Sequence, residues 1–412
     1  MKPGELRLVG MEDEFPAVDA KGQMGKAELI IRELNRKRPE WKIQREGVVI
    51  SAQHPQLGEV SLEAGDGTLE WSSQPGNLFQ LSQWRRQTIN HLVEASEARE
   101  LYLLGIGRHP LTRATKQRLT PNKRYWLFWR RYRERFLSLL EGTAQQIQIH
   151  GRSEEDVIAL TNDFLQLSAL LIALTANSPI YGNKAWSLVS SRVPMWDQYA
   201  PGRVGIPERP FANMADWCQQ LWKAKLIFGP ARHHEHLLCL YGQPFCEVVT
   251  AHPMGKQSFC KFAEIHSGCM WWDTRPRFEY ATAEIRSACQ LPQWMEIALA
   301  ALVLGLAENI IGRQCLVKTF SWEVWRRARW AASEFHFLAP IGENTLLKDH
   351  LPDLVDIATI GLKMRDLGEE IFLEPMQRLI ERGHPPAIDQ IRAFKEGGVE
   401  EVVRQFAYVH SS

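Results

Sequence analysis

Residues 60–75, VSLEAGDGTLEWSSQP, predict two short strands joined by a tight turn. Asp66-Gly67 is a strong signal for a two-residue hairpin loop, because glycine accepts the positive φ that such turns need. With this pair at the centre of the loop, Glu63 faces Glu70 directly across the strands. Like charges opposite each other destabilise a sheet. The hairpin therefore indicates either a cation held between the two glutamates or a solvated hairpin with ordinary surface glutamates.

A second acidic strand is predicted at residues 6–18, LRLVGMEDEFPAV. Alternate residues of a strand share a face, so Glu12 and Glu14 point to one side and Asp13 points to the other. Together with the hairpin, this strand supplies four carboxylates on two candidate strands. Hard cations such as Mg²⁺ and Mn²⁺ take oxygen ligands, which makes a metal site one reading of the pattern.

Composition narrows the class of protein. The 412 residues permit about two or three domains, although single units of this size exist. The net charge of +1 gives no bulk attraction to nucleic acid or membrane, and the longest apolar run, 297–306, is too short to span a bilayer. The seven cysteines contain no CxxC pair, and the first residues lack a signal-peptide core. We expect a cytoplasmic protein without nucleic-acid or membrane partners, and the oligomeric state stays open.

The rest of the chain alternates helices and strands before it becomes helical. Apolar periodicity and capping signals predict helices at 26–38, 77–100, 124–140 and 153–174. Alternation and short apolar runs predict strands at 41–51 (a pair), 101–106, 143–150 and 280–288. Residues 181–253 are predicted to be irregular, and the chain from 292 onward to be helical. This order favours an α+β fold in which helices cover one side of a single antiparallel sheet.

Three further polar residues fall on the predicted sheet. Gln148 lies on the strand at 143–150, and Glu284 and Arg286 share a face of the strand at 280–288. Divalent metals bridge ATP phosphates, and arginine forks neutralise the charge that develops in phosphoryl transfer. A sheet face that combines carboxylates with glutamine and arginine fits metal-assisted phosphoryl transfer from ATP. The spacings are not unique, however, and by themselves they name no reaction.

Several segments, in the same order, resemble motifs of plant-type glutamate–cysteine ligases and of the related bacterial carboxylate–amine ligases. GMEDEFPAVD is similar to the family's opening Gly-Ile-Glu-x-Glu-Phe strand. VSLEAGDGTLEWSSQP is similar to its Ser-Leu-Glu-Pro-Gly-Gly…Glu-Leu-Ser-Gly-Ala-Pro region. Counterparts also exist for LYLLGIGRHP, LIALTANSPIYGN, SSRVPMWDQYAPGR, WWDTRPRFEYATAEIR, RRARWAASE and DQIRAFKEGGVEEVV. The likeness spans nearly the whole chain, and the co-occurrence is far more specific than any single motif.

The resemblance implies a glutamine-synthetase-like catalytic fold, a curved antiparallel sheet with helices behind it. We expect a catalytic domain over residues 1–340 and a helical C-terminal extension over 341–412 packed on it. The implied reaction is ATP-dependent amide formation from small-molecule amino-acid substrates. ATP phosphorylates a carboxylate, often the γ-carboxylate of glutamate, and an amine, often that of cysteine, attacks the acyl phosphate.

The resemblance also implies site residues by position. The family's ligands for Mg²⁺ (or Mn²⁺) correspond to Glu12, Glu14, Glu63, Glu70 and Glu284. Arg286 matches an arginine thought to steady the transferring phosphate, so Arg286 and Glu284 are the catalytic candidates. Arg192 and Arg275 match arginines around the substrate and nucleotide. Gln148, which is glutamine in the plant type and histidine in the bacterial relatives, can offer a neutral oxygen to a metal.

Departures from the family pattern leave the substrates open. Ala200 stands in place of an aspartate, and Ser73-Gln74 stand in place of Gly-Ala, near where substrates are expected. One alternative is therefore the same chemistry with an amine other than cysteine, in a specialised biosynthetic pathway. The other is a non-catalytic binding protein with a ligase fold, although Glu284 and Arg286 are intact.

Two basic segments have more than one reading. Residues 232–236, RHHEH, suggest zinc by composition, but they lack a cysteine partner and fall in the predicted irregular region, which favours a solvated or substrate-loop role. Arg326, Arg327 and Arg329 lie on a predicted helix. They either reach a phosphate or form a charged helix face packed by tryptophans.

Overall fold

A nine-stranded sheet forms the centre of the computed structural model, which describes residues 6–46, 49–227 and 242–410. The described strands are β1 (Val9–Val18), β2 (Lys42–Glu46), β3 (Val49–His54), β4 (Gly58–Leu62), β5 (Thr68–Ser72), β6 (Tyr102–Leu103), β7 (Gln145–His150), β8 (Val204–Gly205), β9 (Trp271–Trp272), β10 (Thr274–Arg277), β11 (Thr282–Ile285), β12 (Pro340–Ile341) and β13 (Thr345–Leu346). The main sheet runs β10-β11-β7-β1-β5-β4-β3-β2, and β6 pairs with the end of β1. All of its pairings are antiparallel, which confirms the predicted sheet.

The RHHEH run at 232–236 lies outside the described residues.

The register of the β4–β5 hairpin differs from the predicted one. Leu62 pairs with Leu69, and the backbone N–H of Glu63 donates to the carbonyl of Thr68 at 3.2 Å. The loop therefore holds the four residues 64–67, and Glu63 stands across from Thr68 rather than Glu70. Asp66 bonds outward, to the backbone and guanidinium of Arg118, and does not close a tight turn. The predicted two-residue loop is therefore wrong. Because the slip is two residues, it leaves both glutamates on the same face of the sheet.

Sixteen α-helices pack around the sheet in the described parts of the chain. They are α1 (Ala27–Lys37), α2 (Leu78–Glu97), α3 (Lys123–Tyr132), α4 (Glu134–Leu139), α5 (Glu154–Gln166), α6 (Ser168–Thr175), α7 (Arg192–Tyr199), α8 (Met214–Lys223), α9 (Phe245–Ala251), α10 (Lys256–Ser267), α11 (Ala298–Glu308), α12 (Ile310–Val317), α13 (Trp322–Phe335), α14 (Leu351–Lys363), α15 (Glu374–Arg382) and α16 (Pro386–Phe406). The helical C-terminal part is thereby confirmed. The predicted start signal at Ser153 is also correct, since its side chain accepts the backbone N–H of Asp156.

Three of the helical predictions need correction. The helix at 124–140 is two helices, because Arg133 adopts a φ of 51° between α3 and α4. The helix at 153–174 is also two, α5 and α6, which are bent by 57°. The segment 181–253 is not wholly irregular, since it contains α7, α8 and α9.

The apolar face of the sheet builds the main core. Met11 and Phe15 of β1, Ile147 of β7 and Trp71 of β5 are buried there with α11, whose residues are all buried. Alternation along β1 puts its odd-numbered residues into this core and its even-numbered glutamates on the other face. No single described helix is long and apolar enough to cross a membrane, although two bent helix pairs match by length and composition.

Asp13 is the charged exception on the core face of β1. Arg85 of α2 donates to its carboxylate at 2.7 Å, and Gln145 donates at 2.8 Å. Arg85 and Gln290 each donate to the hydroxyl of Tyr408 at 3.0 Å. The C-terminal segment is thus linked through Arg85 to the strand that carries Glu12 and Glu14.

Candidate active site

Three glutamates meet on the polar face of the sheet. Glu14 of β1 stands directly opposite Glu70 of β5, and Glu63 follows the end of β4. One carboxylate oxygen of each lies within 4.8 Å of the other two. Their described hydrogen-bond donors are neutral: Gln146 donates to Glu14 at 2.6 Å, Ser72 to Glu70 at 3.1 Å, and the backbone of residue 64 to Glu63 at 2.9 Å. We call these three glutamates the carboxylate trio.

Crowding and burial favour the protonated forms of two members of the trio, Glu14 and Glu70. Burial, reinforced by the charge of Glu63, raises the pKa of Glu14 to about 8. Burial and the charges of Glu63 and Glu12 also raise the pKa of Glu70 well above its ordinary value. Mutual repulsion of this kind is relieved either by protons or by a divalent cation. The donor set of hard carboxylate oxygens fits Mg²⁺ or Mn²⁺.

Glu12 lies beside the trio on β1. Its pKa is raised by burial and by the charge of Glu284. Gln148 donates its amide to Glu12 at 2.9 Å and so positions that carboxylate. Gln146 lines the cavity, and its buried Oε1 has no hydrogen-bond partner among the residues that the structure describes. The neutral oxygen available beside the trio is therefore that of Gln146, next to Glu14.

Glu284 of β11 is held in a different way. It is fully buried and forms ion pairs with Arg275 at 2.8 Å, with Arg277 at 3.0 Å and with Arg286. Burial opposes its charge, but the three guanidinium groups together lower the pKa of Glu284 below its ordinary range. Glu284 is thus an arginine-paired anion, whereas the trio forms no ion pair with any residue that the structure describes.

Arg192 and Arg286 belong to the same cavity wall. The positive charges of both arginines lower the pKa of Glu14, so both act on the trio through space. Arg192 Nε donates to the carbonyl of Arg286 at 3.2 Å, and burial lowers the pKa of Arg192. Arg275, by contrast, donates from Nε and Nη2 to Glu284 and from Nη1 to two backbone carbonyls. Its role is therefore to hold Glu284 and the neighbouring backbone of the cavity wall in place.

Aromatic side chains form the other wall of a cavity of about 280 Å³. They come from α3, α4, α7 and β9 and comprise Tyr125, Phe128, Phe136, Trp196, Tyr199 and Trp271. The ring of Phe128 lies 5.5 Å from those of both Phe136 and Trp271. The lining of the cavity therefore combines ionic groups with an aromatic wall, and the two meet where Arg192 lies 5.6 Å from the ring centroid of Trp196.

The structure gathers most of the predicted site residues in this cavity. Its lining includes the five glutamates and all three arginines predicted from the sequence: Glu12, Glu14, Glu63, Glu70, Glu284, Arg192, Arg275 and Arg286. Gln148 instead stands behind Glu12. Neither Ser73 nor Ala200 is among the described lining residues: the Ser73 hydroxyl accepts the backbone N–H of Met11, and Ala200 packs in an apolar cluster.

Sequence reasoning missed Gln146, Arg277 and the aromatic wall. The alternation of residues 143–150 puts Gln146 on the face of Gln148, and this signal identifies it. Arg277 lies on β10, a strand not predicted, two residues beyond Arg275. Phe128 and Phe136 had no such signal, because they come from a segment that reads as one amphipathic helix.

Solved structures with this fold define its class. The chain is similar to the glutamate–cysteine ligase of Francisella tularensis in complex with AMP, with a TM-score of 0.59, 11% identity, and coverage of 97% of this chain and 87% of that one. It is also similar to a bifunctional glutathione synthetase of Pasteurella multocida, with a TM-score of 0.58, 13% identity, and coverage of 97% and 52%. The fold is thus that of ligases of the glutamate–cysteine ligase type.

The sequence comparison names the family. The chain belongs to glutamate–cysteine ligase family 2, whose model matches residues 8–405. It is 22% identical over 404 residues to the "Putative glutamate–cysteine ligase 2" of Pseudomonas fluorescens, covering 96% of this chain and 87% of the relative. A protein of the same name from Leifsonia xyli is 24% identical over 373 residues, covering 85% and 82%. The predicted resemblance is confirmed, and the protein is a carboxylate–amine ligase similar to glutamate–cysteine ligase.

Proposed function

We propose that the protein is an ATP- and Mg²⁺-dependent ligase that forms a γ-glutamyl-type amide bond through an acyl phosphate. The observation that carries the proposal is one cavity in which the carboxylate trio, without an ion pair to any described residue, lies beside arginines. The similar ligase of Francisella tularensis, solved with AMP, supports use of an adenine nucleotide. Glutamate is the proposed donor, and cysteine is the proposed acceptor.

The carboxylate trio would hold the metal, with Glu12 beside it and Gln146 offering its unpartnered oxygen. Mn²⁺ has the same preference for oxygen and is expected to substitute. When bound, the metal supplies charge neutralisation for the phosphates of ATP. Glu284 is proposed to act mainly through the arginines that it pairs, because its own charge is already matched.

Arg286 and Arg192 are proposed to bind the transferring phosphoryl group. Arg286 is partly exposed to the cavity and keeps one side of its fork for Glu284. Guanidinium groups bond two phosphate oxygens at once and stay charged, so they stabilise charge spread over those oxygens. Their fixed positions against β11 remove the cost of reorganising them during the reaction.

The reaction then has two steps. A carboxylate oxygen of the donor attacks the γ-phosphorus of ATP, the bond to the β,γ-bridging oxygen breaks, and ADP leaves. The amine nitrogen next attacks the carbonyl carbon of the acyl phosphate, phosphate leaves, and the amine loses a proton. The sum is an amide, ADP, phosphate and one proton. The aromatic wall is proposed to exclude water, which would otherwise hydrolyse the acyl phosphate.

The proposal is tested with purified protein, ATP, Mg²⁺, glutamate and cysteine. We expect ADP and phosphate in equal amounts, and the amide by mass spectrometry. Glu70→Gln is the matched inactive control. Absence of nucleotide turnover with every amino-acid pair overturns the proposal. Turnover without an amide product indicates that the acceptor is wrong.

A second candidate keeps this chemistry but uses an acceptor other than cysteine. The aromatic wall favours it, because Phe128, Phe136 and Trp271 offer stacking surface rather than polar contacts to a small thiol. A panel of apolar and aromatic amines, competed against cysteine, separates the two candidates. If cysteine alone yields product, this second candidate fails.

We also propose, as a division of the chain, a catalytic unit over residues 1–340 with the helical extension 341–412 packed on it. Leu351, Leu354 and Leu379 of the extension are buried in the same core as β1. This supports one continuous folding unit. A cytoplasmic location stays a prediction.

A further inference from the structure

Arg329 of α13 is buried, 6% exposed, and bridges two aspartates. Its Nε and Nη2 donate to the two carboxylate oxygens of Asp273 at 2.5 and 3.0 Å. Its Nη1 donates to both oxygens of Asp197 at 3.1 and 2.9 Å. All three nitrogens of the guanidinium are therefore hydrogen-bonded to carboxylates. Arg329 is thus a structural partner of the two aspartates and does not serve as a phosphate-binding residue.

Each aspartate is linked to a cavity arginine, one through its helix and the other through a backbone hydrogen bond. Asp197 lies on α7, five residues after Arg192. The carbonyl of Asp273 accepts the backbone N–H of Arg286 at 2.7 Å. Because Arg192 Nε donates to the carbonyl of Arg286 at 3.2 Å, the contacts close into a ring. In order, Arg329 bonds Asp273, Asp273 bonds the backbone of Arg286, and the carbonyl of Arg286 accepts from Arg192. Helix α7 then connects Arg192 to Asp197, which bonds Arg329.

Arg329 and the two aspartates lie behind the cavity, whereas Arg192 and Arg286 line it. Arg329 is not among the described residues that line the 280 Å³ cavity. Instead, it shares with Arg192, Arg286 and Asp273 a void of about 10 Å³, which has room for at most about one water. A substrate therefore cannot reach Arg329.

The backbone is shaped to admit this guanidinium. Gly205 has a φ of 73°, and a Cβ built on it would lie 3.1–3.3 Å from the guanidinium atoms of Arg329. The carbonyl of Gly205 also accepts the N–H of Asp273 at 2.9 Å. A side chain at 205 would thus be strained and would push on Arg329.

We propose that Arg329 is a positioning residue that sets the separation of Arg192 and Arg286 through Asp197 and Asp273. This inference deepens the proposed function, since it assumes that those two arginines bind the transferring phosphate. The two like charges repel, and the ring holds them at one wall despite that repulsion. A lysine at 329 keeps the charge but cannot bond two carboxylates as a planar fork.

The test compares Arg329→Lys with Arg326→Lys, a matched control on the same helix. Arg326 bonds Glu323 and the carbonyl of Ile206 and lies outside the ring. For Arg329→Lys we expect kcat to fall about 10- to 100-fold, while Mn²⁺ affinity, measured by electron paramagnetic resonance, stays within about twofold of wild type. The Arg326 variant should match wild type in both. Equal kcat and KM for the two variants overturn the inference.

Further measurements separate positioning from loss of folding. Guanidinium ion added to Arg329→Ala should restore part of kcat, which a merely destabilised variant would not show. If Arg329→Lys fails to fold, Asp197→Asn removes one arm of the ring and should lower kcat by a smaller factor. No effect of that substitution on kcat counts against the inference.

A structural measurement distinguishes failure of the proposed function from failure of the inference about Arg329. If wild-type protein turns over no nucleotide, the proposed function fails, and the ring is judged by a crystal structure of Arg329→Lys. The inference expects Arg192 to lose its bond to the carbonyl of Arg286. Retention of that bond overturns it.

Discussion

Glu14 and Glu70 occupy directly opposed positions on the neighbouring strands β1 and β5. Without a cation this pairing is unfavourable, because like charges across strands repel. We therefore expect Glu70→Gln to have opposite effects on activity and stability. Turnover should be lost, while the metal-free protein should gain a few tenths to about 1 kcal/mol of stability at pH 9. Thermal melts with and without Mg²⁺, together with an ADP assay, check both.

The matched control is Glu59→Gln, a partly exposed glutamate on β4 that lies outside the cavity lining. It should change neither property. Full turnover in Glu70→Gln would mean that this carboxylate is dispensable, and a lower metal-free stability would mean that the repulsion is already relieved.

Metal binding should release protons. Burial and Glu63 raise the pKa of Glu14 to about 8, so this group is mostly protonated at pH 7, and a metal must displace the proton. Affinity for Mg²⁺ should rise by up to about tenfold per pH unit for each proton displaced, and the part due to Glu14 should level off above pH 8. Calorimetry in two buffers of different ionisation enthalpy measures the release. A binding enthalpy that is independent of the buffer at pH 7 contradicts the prediction.

Glu284→Gln should destabilise the protein, unlike the same change at Glu70. The substitution leaves Arg275, Arg277 and Arg286 around a neutral group in a buried site. Removing one partner from such a buried ion pair costs about 3–5 kcal/mol. Denaturant unfolding at pH 7 measures the loss.

The pH dependence of this effect has a definite sign. The arginines lower the pKa of Glu284 in the folded state, so its contribution is present above the ordinary carboxyl pKa and is lost as pH falls below it. The gap between wild type and Glu284→Gln should therefore narrow in acid. An equal gap at pH 7 and pH 3 is the contrary result.

Residue alternation predicted that the glutamates of the hairpin and of β1 share a face of the sheet, and this prediction survives a register error of two residues but not of one. The predicted hairpin put Glu63 opposite Glu70, whereas the structure pairs Glu70 with Glu14 across β1 and with Ser61 across β4. A slip of two residues preserves the face, so the glutamates still converge. The partner strand could not be predicted, because strand order is a long-range property that no local pattern encodes.

The aromatic wall lies beyond local sequence reasoning for a related reason. Phe128 and Tyr199 come from segments far apart in the chain, one predicted as a single helix and the other as irregular. Their contacts, with ring centroids 6.4 Å apart, depend on the break at Arg133 and on the folding of α7. The periodicity of apolar residues predicts neither the break at Arg133 nor the helix α7.

His109 should make the protein sensitive to acid. It is buried beside the hydroxyl of Thr68 at 3.1 Å, and burial lowers the pKa of His109 to about 3. Its unfolded pKa is about 6.5, so the unfolded state takes up the proton first. Stability is therefore lost as pH falls below about 6.5, by up to about 1.4 kcal/mol per pH unit, until about pH 3.

His109→Gln should be less stable than wild type at pH 7 but lose stability less steeply between pH 6 and pH 4. His266→Gln is the matched control for a second buried histidine, since burial lowers the pKa of His266 to about 4, and its effect should add. Urea unfolding at several pH values gives both slopes. Parallel pH curves for wild type and His109→Gln would mean that His109 binds its proton equally in the folded and unfolded states, contrary to its burial.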